Sequence, residues 1–380
     1  MPSFDFRTVP HIHAGPGSAG RLASIAAPLI GGRRRVFLVT DKGVRGLGLL
    51  DSAIAGLEDA GLDVALNDSV LADPPEDMVL AAVAEAREFG AELVIGFGGG
   101  SSMDTAKLVA LLLGTDQPLS EMYGVGQVRG TRLPLILIPT TAGTGSEVTP
   151  ISIVTVGETA KMGVNDPALY ADMAVLDAEL TYGLPRHVTA ATGIDAMVHC
   201  IEAFTSRIEK NPVSDALALA GLKKLHGAIE RACTDGHDCE AREDMLLGAL
   251  LAGQAFANAP VGAVHALAYP LGGLFHVPHG LSNSLMLPPV LRYNAETAEA
   301  LYAELSAHIG LGNPGAAALI EEMERIAEAV RIETRLTQLG ISHNDLPRLA
   351  EDAMKVTRLL VNNPREMTLD AAKACYEAVL

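Results

Sequence analysis

Glu92-Leu-Val-Ile-Gly-Phe-Gly-Gly-Gly-Ser-Ser-Met-Asp-Thr-Ala-Lys107 passes from a short apolar run, through three glycines, into Ala/Leu-rich helical sequence. A buried strand that turns directly into a helix is the building unit of a parallel sheet covered by helices. Gly98, Gly99 and Gly100 let the backbone approach a pyrophosphate. The helix that opens through Ser101, Ser102 and Asp104 presents unpaired N–H groups and the positive end of its dipole to an anion. Alone, the segment also reads as nothing more than a tight turn.

The pattern repeats on both sides. Arg35-Val-Phe-Leu-Val-Thr40 predicts a second buried strand, Leu133-Pro-Leu-Ile-Leu-Ile-Pro139 a third, and the Ala/Glu-rich stretch 76–90 a helix between the first two. After Leu184-Pro185 the β signals stop, and Ala/Leu/Glu segments with Gly or Asn-Pro breaks run to residue 380. This predicts an α/β dinucleotide-binding domain over 1–184 and an all-helical domain over 185–380. A chain of 380 residues is long enough for two such cores, and 49% hydrophobic content without Trp calls for aliphatic packing. The stretch 314–330 reads as an amphipathic scaffold helix.

A second polar loop follows the third strand: Pro139-Thr140-Thr141-Ala-Gly143-Thr144-Gly145-Ser146-Glu147-Val-Thr149. Its hydroxyls and glycines suit phosphates and a nicotinamide amide. Two such loops at the carboxyl ends of parallel strands point to the crevice where open α/β sheets bind ligands. Asp41, closing the Arg35 strand, has two readings. It accepts bonds from ribose hydroxyls and repels a 2′-phosphate, which favours NAD over NADP, or it caps the next helix. The literal GxGxxG match, Gly15-Pro-Gly17-Ser-Ala-Gly20, follows only a brief β-like run and carries Pro at its second position, so it reads as a turn into a helix.

A net charge of −18 without a basic stripe argues against nucleic acid as a partner. The start at Met1-Pro-Ser-Phe-Asp has no signal-peptide pattern, and no uninterrupted apolar run is long enough to span a bilayer. Cys200, Cys233, Cys239 and Cys375 are irregularly spaced, as reduced cytoplasmic thiols would be.

In Thr192-Gly-Ile-Asp195-Ala-Met-Val-His199-Cys-Ile-Glu-Ala-Phe204, Asp195 and His199 project from one helix face, as half of a metal site or as a simple Asp–His hydrogen bond. Downstream, Gly262-Ala-Val-His265-Ala-Leu-Ala-Tyr269-Pro-Leu-Gly-Gly-Leu-Phe-His276-Val-Pro-His279-Gly280 places three of the chain's 11 histidines in apolar sequence, where unpartnered imidazoles are unfavourable. One Asp and three His form a nitrogen-and-oxygen set suited to Fe²⁺ or Zn²⁺, and the absence of Cys argues against a structural zinc. Cys233, His237 and Cys239 lie in a polar loop that offers no fourth ligand.

Taken together, Thr40-Asp41, the Gly98 and Pro139 loops, Asp195/His199 and His265 through His279-Gly280 resemble the iron-containing (group III) alcohol dehydrogenases, a family related in fold to dehydroquinate synthase and glycerol dehydrogenase. The resemblance covers almost the whole chain. It implies an N-terminal α/β dinucleotide-binding domain, a helical metal- and substrate-binding domain, and a homodimer or larger assembly acting on a small alcohol or aldehyde. It implies metal ligation by Asp195, His199, His265 and His279, with Fe²⁺ favoured over Zn²⁺, and leaves His276 as a substrate-pocket residue. For NAD it points to Asp41, Asp73, Gly98 to Ser102, Asp104, Thr140, Thr141, Thr144, Ser146, Lys161 and Leu180. One departure is Tyr269, where many members carry a second His near the nicotinamide. His276 and Tyr269 are then the candidates for proton exchange, although Tyr has an unperturbed pKa of about 10, far from that of His. Same-fold alternatives are maleylacetate reductase, a glycerol dehydrogenase-like enzyme and a hydroxyacid–oxoacid transhydrogenase that also carries Tyr near this point. The alternative from another class is a non-catalytic nucleotide-binding protein.

Overall fold

A computed structural model describes residues 3–157 and 160–380; Met1 and Pro2 of the N-terminal reading lie outside them. The chain separates by its contacts into two units. The division is not a single cut, because the stretch through Arg7 and the tripeptide Ala142–Thr144 group with Gly183–Leu380.

The α/β unit carries strands β1 (Ile12–Ala14), β2 (Arg35–Val39), β3 (Asp63–Asn67), β4 (Leu93–Gly98), β5 (Gly124–Val125), β6 (Leu135–Pro139), β7 (Ile151–Val156), β8 (Ala160–Asn165) and β9 (Met173–Leu176). Its helices are α1 (Leu22–Ile25), α2 (Ala27–Ile30), α3 (Lys42–Gly46), α4 (Asp51–Asp59), α5 (Glu76–Phe89) and α6 (Gly100–Gly114). Six strands form a parallel sheet in the order β1-β9-β6-β4-β2-β3. The chain leaves β2 for β3 on one side and returns to β4 on the other, so the loops after β2 and β4 diverge, which makes the topological switch point of such sheets.

Strands β4, β6 and β9 are buried along their whole length. A parallel sheet covered on both faces needs such continuous apolar runs rather than alternation, and that is why β4 and β6 were legible as strands. Val36, Leu38, Ile95, Phe97, Ile136 and Val175 meet Leu22 and Leu57 in its core. A smaller sheet, β5-β8-β7, pairs β7 antiparallel to β8.

The second unit is helical: α7 (Arg186–Thr205), α8 (Pro212–Thr234), α9 (Cys239–Phe256), α10 (Ala263–Phe275), α11 (His279–His308), α12 (Ala316–Ala329), α13 (Leu346–Met354), α14 (Thr357–Leu360) and α15 (Leu369–Glu377). Side chains of Asn211, Asp238 and Thr368 cap α8, α9 and α15 by accepting bonds from first-turn amides. Along α12, Leu319, Ile320, Met323 and Ile326 bury one face, the amphipathic pattern read in the sequence. No helix among the described residues is long and apolar enough to cross a membrane.

Candidate functional site

In the α/β unit, the carboxyl ends of β2, β4 and β6 bring the residues of the two Gly-rich segments to one edge. Gly98 ends β4 at φ +153°, and a Cβ there would lie 2.7 Å from the Ser102 hydroxyl, so only glycine makes this turn without strain. Helix α6 starts immediately, with Gly99 at its N-cap, which has no side chain to cap the first amides. Those N–H groups are the kind a phosphate takes. The Thr140 amide donates to the Gly98 carbonyl at 3.0 Å, which ties the two loops together.

Asp41 sits at the end of β2. Its Oδ1 accepts from the Gly43 and Val44 amides at 2.9 and 3.0 Å, capping α3, while Oδ2 accepts from the Ser102 hydroxyl at 3.2 Å. Both readings of this residue thus keep an oxygen: one caps, and the other faces the switch-point edge. The rejected Gly15–Gly20 turn is closed by protein. The buried Asp177 carboxylate takes the Gly17 and Ala19 amides at 3.2 and 2.9 Å, where a phosphate would have bound.

Asp104 and Ser146 belong to a buried network. Lys107, fully buried, donates to Ser146 at 2.7 Å and to the Ile151 carbonyl at 2.7 Å, while the Ser146 hydroxyl donates to Asp104 at 2.6 Å. The other Asp104 oxygen accepts the Ile153 amide at 3.0 Å, so the network fastens the end of the Thr-rich loop to α6 and β7. Burial pulls the Lys107 ammonium down and pushes neighbouring Glu147 up to about 7, against the pull of Lys107. Lys161 pairs with exposed Asp73 at 2.7 Å and donates to Thr155 at 2.9 Å. Leu180 packs in the core beside Leu22 and Val175. Thr141 is half-buried, and Thr144 groups with the helical unit.

In the helical unit, Asp195, His199 and Glu202 follow one another at helical spacing along a buried face of α7. Glu202 was not singled out from the sequence. Its Oε2 lies 2.6 Å from His265 Nδ1 and its Oε1 accepts the Val264 amide at 2.7 Å. With Nδ1–H committed to Glu202, His265 turns the lone pair of Nε2 toward Asp195 Oδ1, 4.0 Å away. His279 opens α11, and its Nε2 lies 3.7 Å from the same oxygen. Gly280 permits this: a Cβ there would run into the Ala191 carbonyl of α7, so the first turn of α11 seats on α7 only without a side chain.

Ligand atoms of Asp195, His265 and His279 lie within 4.8 Å of one another. His199 falls outside that group, although its ring stacks on His265 at a centroid distance of 4.8 Å and on Phe256 at 4.3 Å. Burial pushes the His199 imidazole down to about 3, against the opposing pull of Asp195, which keeps it in the neutral form that binds metals. Burial alone would raise Asp195, but the imidazoles, led by His199, and the Asn283 amide outweigh it and hold the carboxyl below its usual range.

The polar inventory fits a cation. The Asn283 Nδ2 lies against three polar atoms at once, Asp195 Oδ1 at 2.6 Å and the Nε2 atoms of His265 and His279 at 3.2 Å, yet an amide has only two N–H groups. The Gly143 backbone favours the charged form of His199, but the buried His199 Nδ1 makes no hydrogen bond of good geometry, and the Asn283 Oδ1 has no partner. A carboxylate and imidazoles brought together in this way are a donor set for a divalent Fe or Zn ion.

Tyr269 stands one turn beyond His265, half-buried, with its ring centroid 6.1 Å from that of His279. Its hydroxyl accepts from Arg358 at 3.2 Å. His276 is exposed, at the left-handed residue that ends α10.

The sequence pattern of iron-containing alcohol dehydrogenases matches residues 10–178, and that of the C-terminal region of the Fe-containing alcohol dehydrogenase family matches residues 189–380. Long-chain-alcohol dehydrogenase 1 of Geobacillus thermodenitrificans (strain NG80-2) is 39% identical over 97% of this chain and 95% of its own length. A crystal structure of 1,3-propanediol oxidoreductase superposes with a TM-score of 0.95 at 32% identity, covering 100% of both chains. Sulfoacetaldehyde reductase from Bifidobacterium kashiwanohense, solved in complex with NAD⁺, superposes with a TM-score of 0.91 at 28% identity over 100% of this chain and 99% of its own. With both units matched and the metal-type ligand cluster in place, the chain belongs to the iron-containing alcohol dehydrogenase family.

Proposed function

We propose that this chain interconverts a small alcohol and its aldehyde or ketone with NAD, using one divalent ion, Fe²⁺ in preference to Zn²⁺, held by Asp195, His199, His265 and His279. The observation that carries the reading is the convergence of Asp195 Oδ1 with the Nε2 atoms of His265 and His279, the first two residues buried and the third open to solvent, with Glu202 fixing one ring.

When bound, the ion supplies Lewis acidity at the alcohol oxygen and the nicotinamide supplies a hydride acceptor. Everything else falls to the chain. Asp195 balances the charge of the ion, and Glu202 keeps His265 in the tautomer that leaves Nε2 free. The amides of Gly100, Ser101 and Ser102 at the start of α6 hold pyrophosphate oxygens, and Asp41 Oδ2 takes ribose hydroxyls. Thr140, Thr141 and Thr144 orient the nicotinamide end, with Asp73 and Lys161 on the adenosine side. Tyr269 and His276 exchange the hydroxyl proton with solvent. The chain acts in the cytoplasm as a homo-oligomer, a reading supported by its four unpaired thiols and its family.

One observation favours a second reading, hydroxyacid–oxoacid transhydrogenation. Arg358 bonds the Tyr269 hydroxyl and makes no ion pair among the described residues, so its guanidinium is suited to a substrate carboxylate.

NADH formation by anaerobically Fe²⁺-reconstituted protein, across primary alcohols, diols and 4-hydroxybutyrate with a chelated control, tests the proposal. Turnover lost on chelation supports it. Hydroxyacid-to-oxoacid exchange without added NAD selects the second reading, and inactivity despite bound metal and nucleotide overturns both.

A further inference from the structure

Asn283 is fully buried one turn after His279 on α11, and its amide nitrogen occupies a particular place: 2.6 Å from Asp195 Oδ1 and 3.2 Å from the Nε2 atoms of both His265 and His279. These are the three atoms that converge as candidate metal ligands. An N–H donor and a cation make the same demand on an acceptor, because each needs its lone pair. The two cannot use one lone pair together.

We propose that Asn283 is a positioning residue that competes with the metal: its amide draws the three ligand atoms together in the metal-free protein and must give up its bonds to the two imidazoles, whose nitrogens have one lone pair each, when the ion arrives. The proposal rests on the reading of this cluster as a metal centre. It assigns Asn283 a role in how tightly and how fast the ion loads, separate from any contact with alcohol or nucleotide.

The chemistry makes the competition uneven. Two N–H groups cannot bond all three ligand atoms well at once, and the buried carbonyl oxygen of Asn283 has no hydrogen-bond partner. A divalent ion takes the single lone pair of each ring nitrogen together with one from Asp195 Oδ1, and therefore displaces the amide from the imidazoles. Meanwhile the amide gives the buried Asp195 carboxylate a hydrogen-bond donor in the metal-free protein, without which that buried oxygen would be left poorly satisfied. Lysine in this place would hold the ligands too firmly to be displaced, and leucine would offer them nothing.

The sign of the effect separates this role from a merely structural one. If Asn283 supports the ligands equally with and without the ion, its removal weakens metal binding. If it competes, its removal destabilises only the metal-free form, so the ion binds more tightly and loads faster.

The test uses the full chain, stripped with a chelator and dialysed, then titrated with Zn²⁺ against a chromophoric competitor without nucleotide or alcohol. Asn283→Ala is expected to bind Zn²⁺ about threefold to tenfold more tightly than the wild type, the worth of one or two hydrogen bonds. Its stripped form should melt lower, and the rise in Tm on Zn²⁺ addition should be larger. Asn283→Ser keeps one O–H donor and should fall between the two in affinity and loading rate, so the comparison survives if the Ala variant fails to fold without metal. Affinity equal to or weaker than wild type in either variant overturns the proposal while leaving the metal centre intact. A wild type that takes up no Zn²⁺ overturns the metal reading and this inference together.

Discussion

Glu202 Oε2 lies 2.6 Å from His265 Nδ1 while Glu202 Oε1 accepts the amide of Val264, so one carboxylate of α7 fixes both the imidazole and the start of the helix that carries it. Neutralising that carboxylate leaves the ring without its anionic partner and lowers its basicity. Glu202→Gln should weaken metal affinity roughly 10–100-fold with the fold retained. Equilibrium dialysis with Zn²⁺ reads this directly, and unchanged affinity would mean that His265 is held in place by other contacts.

Gly280 sets the position of His279. In Gly280→Ala the new methyl meets the Ala191 carbonyl of α7, and α11 must shift or tilt to avoid it. Overpacking of this kind costs about 1–3 kcal/mol. Thermal melts should record the loss, and metal uptake should fall with it, since the displacement begins one residue from a ligand. A variant with normal Tm and normal uptake would show that α11 seats differently.

Gly98→Ala addresses the nucleotide edge alone. The φ of +153° and the close Ser102 side chain resist any Cβ, and a strained backbone position costs about 1–3 kcal/mol. If the turn shifts to relieve that strain, NAD affinity should drop about tenfold or more, read by calorimetry. Metal uptake, whose ligands all lie in the helical unit, should stay at the wild-type level. Parallel loss of both would point to global unfolding.

Glu147 gives the stability a pH signature. Burial raises its folded pKa from an ordinary 4.5 to about 7, so the folded chain keeps a proton that the unfolded chain has already released across that interval. Wild-type stability from this group therefore falls as pH rises from about 4.5 to 7 and levels off above it. Glu147→Gln lacks that dependence, so the Tm of the variant relative to wild type should climb across the same window. Parallel Tm profiles would place the proton elsewhere.

These residues also mark what the sequence made legible. The strands around Phe37, Ile95 and Leu137 were readable because a doubly covered parallel sheet demands unbroken apolar runs, and α12 because its apolar spacing is helical. Strands β1 and β9 are short, β3 is only partly buried and bounded by Asp63 and Asn67, and Ile151–Val156 mixes Ser and Thr into a half-buried hairpin, so these carried little signal against the surrounding loops. Asp195 and the histidines stood out by chemistry, being polar groups in apolar sequence. Glu202 and Asn283 did not, because Glu202 meets His265 across 63 residues, Asn283 meets Asp195 across 88, and each looks like an ordinary helical residue. Spacing offered a clue in both cases: Glu202 completes the Asp195-His199 face, and Asn283 follows His279 by one turn.

The most direct measurement of the central claim couples metal content to turnover in His265→Ala. Elemental analysis of Fe²⁺-reconstituted protein, with NADH formation assayed on the same samples, should find about one ion per chain and chelator-sensitive turnover in the wild type, and neither in the variant. A His265→Ala protein that is free of metal yet oxidises alcohol at the wild-type rate would contradict the account.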